Sequence, residues 1–324
     1  LKFQVLQLAK TTAHLPPNYP MKMKKMCMYC LLGAPLVLLL LFAPFMAQAQ
    51  AKKKIRVLLI DGQSMYHPHW PTFVEVLKAH LSEGNLFTVD HLRTPALEED
   101  LSTFSPDFSK YDLVVSTFDG KDWPEATQKK FEAFVQNGGG FVPVHAANNP
   151  FPNWAAYNEM IGLGGWGGRN EKSGPYVYMT EAGERVVDYS PGPGGHHGKA
   201  HSYAVDIRVK DHPITKGLPT RWMHVKDELY EKLRGPAKNL TILASAYASP
   251  DTGGSGRHEP ILMTIQYGKG RVFHTVLGHD TDALNCIGFK VTFLRGCEWA
   301  ATGKVTQPVP ANFPSAKETA SVGQ

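Results

Sequence analysis

The sequence predicts an α/β fold built on a doubly wound, mostly parallel sheet. Two observations carry this. Four short apolar runs are interleaved with helix-like segments between Ile55 and Ile161, which is the rhythm of parallel βα units. One of these runs, within Gly138–Asn149 (GGGFVPVHAANN), stops at His145 and turns at once into small residues and a helix-like segment. That pattern reads as a buried parallel strand with a sharp turn at its carboxyl end. Ligands of open α/β sheets bind beyond such ends. His145 is therefore a candidate for chemistry, the plainer alternative being a histidine that only hydrogen-bonds a neighbouring loop.

The elements follow in order. Ile55–Ile60 is an apolar strand ending at Asp61-Gly62-Gln63, a polar turn in a usual ligand-contact position. His67, His69 and Trp70 precede a helix over Pro71–Ser82. Phe87–Leu92 and Tyr111–Thr117 are the next strands, the latter ending at Phe118-Asp119-Gly120. Pro124–Asn137 is a helix with Pro at its start and Gly just past its end, the favoured asymmetry. The strand ending at His145 and a helix over Asn153–Ile161 complete the series. Gly162–Gly195, rich in Gly, Trp, Tyr and Pro, is too long for an ordinary connection and reads as a functional insertion or lid. Strands over Tyr203–Val209 and Leu240–Ala246 follow, then a hairpin, Ile261–Tyr267 with Arg271–Leu277, across Gly268-Lys269-Gly270. His279 closes the second arm, and Leu284–Ala300 is a closing helix. Residues 306–324 read as a Pro-rich, loose tail.

Composition narrows the function. The net charge of +5 comes from the leading segment, because residues 1–49 hold five lysines and no acid. The remainder is balanced, so nothing argues for nucleic acid or an anionic membrane as partner. Residues 1–20 read as upstream or mis-started sequence. Residues 21–49 read as a signal peptide: Lys22, Lys24 and Lys25, the apolar Leu31–Phe45, then Ala47-Gln48-Ala49 for cleavage. Export to the periplasm or outside is expected, without stable membrane insertion afterwards. Beyond this segment Cys286 and Cys297 are the only cysteines, and one helix would hold them about 16 Å apart, too far to bridge.

Several groups could do chemistry. His196, His197 and His201 form the densest set of ligand types and suggest a divalent, zinc-like metal. The alternative is a Gly-rich loop whose histidines bind substrate hydroxyls. His279, with Asp280 beside it to orient it or raise its pKa, is a candidate general base at a second strand end. Asp227 and Glu228 could add carboxylates to the same crevice, and Trp166, Trp70 or Trp154 could stack on sugar faces. No G-x-S-x-G elbow and no G-x-G-x-x-G loop follow the early strands, which argues against a serine nucleophile and a tightly held nicotinamide.

The motifs DGQ (61–63), GGGFVPVHAAN (138–148), YNEMIG (157–162), GGWGGRNEKSGP (164–175), DHPITKGLP (211–219), DELY (227–230), GKGRVF (268–273) and EWAA (298–301) resemble the ThuA-like, trehalose-utilisation family. The resemblance covers residues 55–305. It implies a class I glutamine-amidotransferase-like, flavodoxin-like three-layer fold. That superfamily usually holds a Cys at the strand–helix elbow, where this chain has His145-Ala146, so thiol amidotransferase chemistry is not expected. The family association is with small-molecule carbohydrates, through 3-keto sugars. Catalysis is then expected from His145, His279 and Asp280, with substrate contacts from Asp61, Gln63, His67, Trp166, Arg169, Asp227 and Glu228. A non-catalytic carbohydrate-binding protein and a metal-dependent hydrolase of another substrate are the alternatives.

Overall fold

The computed structural model describes residues 53–64, 67 and 70–323. The expected signal segment, its cleavage site and His69 lie outside these residues. Three βα units come first: β1 (Ile55–Asp61), α1 (Trp70–Ser82), β2 (Phe87–Arg93), β3 (Leu113–Ser116), α2 (Glu125–Gln136), β4 (Gly140–Pro143) and α3 (Ala155–Ile161). The insertion carries β5 (Tyr176–Met179) and β6 (Arg185–Asp188), and β7 (His196–His197) follows it directly. Then come β8 (His201–Ile207), β9 (Arg221–Asp227), β10 (Tyr230–Glu231), β11 (Leu240–Tyr247), β12 (His258–Tyr267), β13 (Gly270–Thr275), α4 (Thr281–Asn285) and α5 (Ile287–Thr302).

The main sheet runs β2-β1-β3-β4-β13-β12-β11-β8-β9. Its first five strands are parallel, as expected, and the rest extend it antiparallel from the β12–β13 hairpin. Leu59, Val114, Val142 and Val272 on the parallel strands are fully buried. Each contributes about 1.5–3 kcal/mol of transfer free energy, and the run is continuous because helices cover both faces. On one face α1 packs on α4 and α5. On the other, Phe131 of α2 meets Phe141, Trp154 and the aromatic cluster around Trp123. This arrangement leaves the carboxyl ends of β1, β3, β4 and β13 at one rim.

Three details differ from expectation. The closing helix is two helices, broken at Cys286, whose extended backbone (ψ 128°) ends α4 and starts α5. The tail is pinned rather than loose: Ser315 accepts from Met223 N–H, Ala320 accepts from Ile287 N–H, and Thr306 donates to Glu298. His279 does not end a strand; β13 stops at Thr275, and Val276–Gly278 carry the chain on, with Val276 N–H still bonded to Ile261.

One buried histidine sets an acid limit on stability. His274 Nδ1–H donates to the Ile161 carbonyl at 2.8 Å, and its Nε2 accepts from Asn148 at 3.2 Å. Burial pushes its pKa down to about 4, against about 6.5 in the unfolded chain. Between those values the unfolded state binds the extra proton, so stability falls as pH drops through this window. The loss is about 3 kcal/mol. Urea titrations at pH 7 and pH 4.5 should show a smaller acid loss for His274→Gln than for the parent. Equal losses in the two proteins would remove His274 from the account.

Candidate functional site

Four chain segments meet at the carboxyl rim of the parallel strands. His67 follows β1, His145 follows β4, Glu228 follows β9, and His279 lies beyond β13. Asp227 binds two of these segments together. Its fully buried carboxylate accepts from His224 Nε2 (2.8 Å), Gly278 N–H (2.9 Å), Glu228 N–H (2.9 Å) and His279 N–H (3.0 Å). Glu228 and His279 are thereby fixed on either side of one anion. Burial, the largest single influence, would raise the Asp227 pKa, but His224, His145 and the Gly278 N–H together outweigh it and hold the group low. Gly278 makes the turn into His279 at φ +110°, a left-handed conformation that favours glycine.

The three imidazoles form a tight triangle, with ring centres 5.3 Å (His67–His145), 5.0 Å (His67–His279) and 5.5 Å (His145–His279) apart. His279 Nδ1 is 3.0 Å from Glu228 Oε2. One ligand atom each from His67, His145, Glu228 and His279 lies within 4.8 Å of all the others, so the four could hold one cation. His145 has a left-handed backbone, φ +48°, a strained state that surrounding structure must enforce. Its Nδ1–H donates to the Val276 carbonyl at 2.7 Å, which leaves Nε2 as a bare lone pair. That Nε2 is buried and has no hydrogen-bond partner. Burial lowers the His145 pKa. Burial, then the neighbouring histidines, lower His67 to about 3, so both are neutral near pH 7. His279 moves the other way, raised by Glu228 beside it.

Above the triangle is a cavity of about 260 Å³, lined by His67, Asn149, Trp166, His197, Glu228, Tyr230 and His279. Tyr230 packs on His145 at a tilt of 33° with ring centres 4.0 Å apart, and Trp166 stands edge-on to Tyr230 at 4.5 Å. Asn149 donates to Asp119 at 3.3 Å while its buried Oδ1 has no partner. Burial raises the Asp119 carboxyl to about 6. A larger groove of about 720 Å³ lies at the opposite, amino end of β3 and β4. It has no histidine and only Asp107, Asp112 and Lys130 as charged groups, so the chemistry belongs to the smaller cavity.

This geometry fits a strand-end site on a flavodoxin-like sheet, and sequence comparison agrees. A family model described as ThuA, trehalose utilisation, matches residues 56–300. The chain belongs to the ThuA family. A ThuA-like protein from Parabacteroides merdae is 49% identical, with a TM-score of 0.80 over 83% of this chain and 98% of its own. Another from Bacteroides uniformis shares the fold at 20% identity and a TM-score of 0.53, over 79% of this chain and 95% of its own. None of the curated proteins matches the chain.

Within this ThuA fold the sequence-derived candidates separate. His67, His145, Glu228 and His279 converge, and Trp166 and His197 line the cavity wall. The other candidates are engaged elsewhere. Asp61 is buried against His91 and Arg93 of β2. Gln63 pins loops through Pro95, Ala96 and Lys121. Arg169 makes five hydrogen bonds, to Asn149, Pro150, Asn158 and Gly165. That uses all its donors and leaves none for substrate. Asp227 faces the clamp rather than the cavity. Asp280 caps α4 by accepting from Ala283 N–H, so the carboxylate beside His279 is Glu228. His196, His197 and His201 form no joint ligand set among the described residues. His196 pairs with buried Glu231 at 2.7 Å, and His201 Nδ1–H donates to the Lys199 carbonyl within its own turn. Trp154 belongs to the aromatic core, and Trp70 lies under the Arg93 guanidinium.

Tyr230 and Asn149 received no role from the sequence. The signals were present. Tyr230 is two residues past Glu228, the spacing that returns a strand to one face. Asn149 lies four residues past His145, in the same turn region. Neither Cys286 nor Cys297 lines the cavity; both are buried.

Proposed function

We propose that this ThuA protein cleaves an oxidised, 3-keto glycoside by elimination after export. The observation that carries the reading is the convergence of His67, His145, His279 and Glu228 under a small cavity with aromatic walls. A cavity of about 260 Å³ lies below the usual range for drug-sized ligands, which suits one sugar ring with the aglycone at the mouth. Trp166 and Tyr230 offer apolar faces to such a ring, and Asn149 Oδ1 offers an acceptor for a hydroxyl.

The chemistry matches the residue set. A ketone at C3 acidifies the C2 proton. A base removes that proton, a C1–C2 double bond forms, and the C1–O bond breaks. The aglycone leaves as an alcohol once its oxygen gains a proton. No oxidant, reductant or thiol is required. His279 and His197, the imidazoles on the cavity wall besides buried His67, are assigned to proton transfer, and the buried cluster stabilises charge on the C3 oxygen. Purified protein should release nitrophenol from 4-nitrophenyl 3-keto-glucoside and leave the unoxidised glucoside intact. Binding of the keto sugar without release would replace this reading with that of a carbohydrate-binding protein.

A further inference from the structure

We propose that His67, His145, Glu228 and His279 bind a single divalent transition-metal ion, with the remaining coordination position open to the cavity. The proposal deepens the reading above and rests on it for what the ion does, not for whether the ion binds.

Three observations support the site. The four ligand atoms already lie within 4.8 Å of one another. Two ligands at about 2.1 Å from one ion are at most about 4.2 Å apart, so the set closes with side-chain movement of at least about half an ångström. His145 Nε2 is buried, unpartnered and fixed as a lone-pair donor by its Nδ1–H bond to Val276. An imidazole N–H bonded to a backbone carbonyl is the usual second contact of a metal-bound histidine. Finally, His279 Nδ1 and Glu228 Oε2 are 3.0 Å apart, yet Nδ1 has no aligned hydrogen bond. Two ligand atoms aimed at a shared third point would adopt that relation.

Three imidazoles and one carboxylate suit zinc, cobalt, nickel or iron rather than magnesium or calcium, which require oxygen ligands. The protein provides the second contacts for this set. Ser64 Oγ lies 3.2 Å from His67 Nδ1, and the Asp227 clamp holds the backbone of both Glu228 and His279. The cavity meets the set at His67, Glu228 and His279, so a ligand there reaches the ion's open side. With the ion bound, the C3 oxygen of the substrate gains a Lewis acid. His197, outside the ligand set, then remains for proton transfer.

The test reads binding without substrate. Purified protein is stripped with a chelator and titrated with Zn²⁺, Co²⁺, Mg²⁺ and Ca²⁺. Zn²⁺ and Co²⁺ should bind one per chain, Co²⁺ with visible d–d absorption, while Mg²⁺ and Ca²⁺ should not compete. His145→Gln and Glu228→Gln should each weaken Zn²⁺ by about 100-fold or more, beyond the 10–100-fold typical of lost second contacts. His201→Ala should leave affinity unchanged. Circular dichroism confirms folding, and if one cluster variant fails to fold the other decides. No stoichiometric transition-metal binding, or unchanged affinity in a folded cluster variant, overturns the site. A metal-loaded protein inert towards keto sugars would overturn the glycoside reading alone.

Discussion

His279→Ala should lower turnover of a 3-keto-glycoside by about 10²–10⁴-fold, the usual contribution of a group that transfers a proton in the rate-limiting step. The same order is expected if the residue instead holds the proposed ion, since a Lewis acid is worth several kcal/mol of charge stabilisation. The side chain is half-buried on the cavity wall, 3.0 Å from Glu228, and its backbone N–H is held by Asp227. Truncation at Cβ leaves the backbone bond in place, so the loop should keep its position and the fold should survive. Cys297→Ser and His201→Ala serve as controls. Cys297 is buried in α5 and His201 lies outside the cavity, and both should retain turnover. Full activity in folded His279→Ala, or loss in folded Cys297→Ser, would overturn the assignment and favour a nucleophilic thiol.

Arg169→Met should destabilise the protein by about 4 kcal/mol or more, without needing any substrate to show it. The guanidinium is buried, and burial lowers its pKa to about 10, so it stays charged at neutral pH. Its hydrogen bonds tie the Asn149–Pro150 turn and Asn158 of α3 to the Gly-rich segment at Gly165. A methionine of similar length fills the space but leaves those acceptors unpaired, at about 1–3 kcal/mol each before relaxation. Asn149 lines the cavity, so the site would loosen as well. Urea denaturation gives the stability, and Arg169→Lys provides the comparison. A lysine keeps the charge but cannot reproduce the planar fork, so it too should destabilise. A substrate-binding arginine would behave differently, with a raised KM in both variants at unchanged stability.

Much of the parallel half of the fold was legible in the chain. Its strands are buried on both faces and read as short apolar runs, and Gly, Pro and Asn mark their ends. The antiparallel half was less so. In β9 (RWMHVKD) the inward positions include Trp222, His224 and Asp227, all buried. A strand whose core face carries a paired His and Asp does not look apolar. In β5 and β6 the surrounding Gly and Pro hid two short strands inside what reads as loop.

The site divides in the same way. Sequence alone placed His145 beyond a parallel strand, singled out His279, excluded a thiol at the elbow, and carried the family resemblance that the family match over residues 56–300 now supports. Only the tertiary structure decided which neighbours face the cavity. The segment around His196, His197 and His201 is rich in imidazole, but adjacent residues on a strand point to opposite faces. The pairing of β7 with β10 therefore sends His197 with Tyr230 to the cavity and His196 with Glu231 to the other side. Where β9 ends, Asp227 and Glu228 also part, one anion buried in a clamp and the other beside His279. Local sequence sets which residue types are available, whereas the direction of each side chain depends on the register of strands that are distant in the chain.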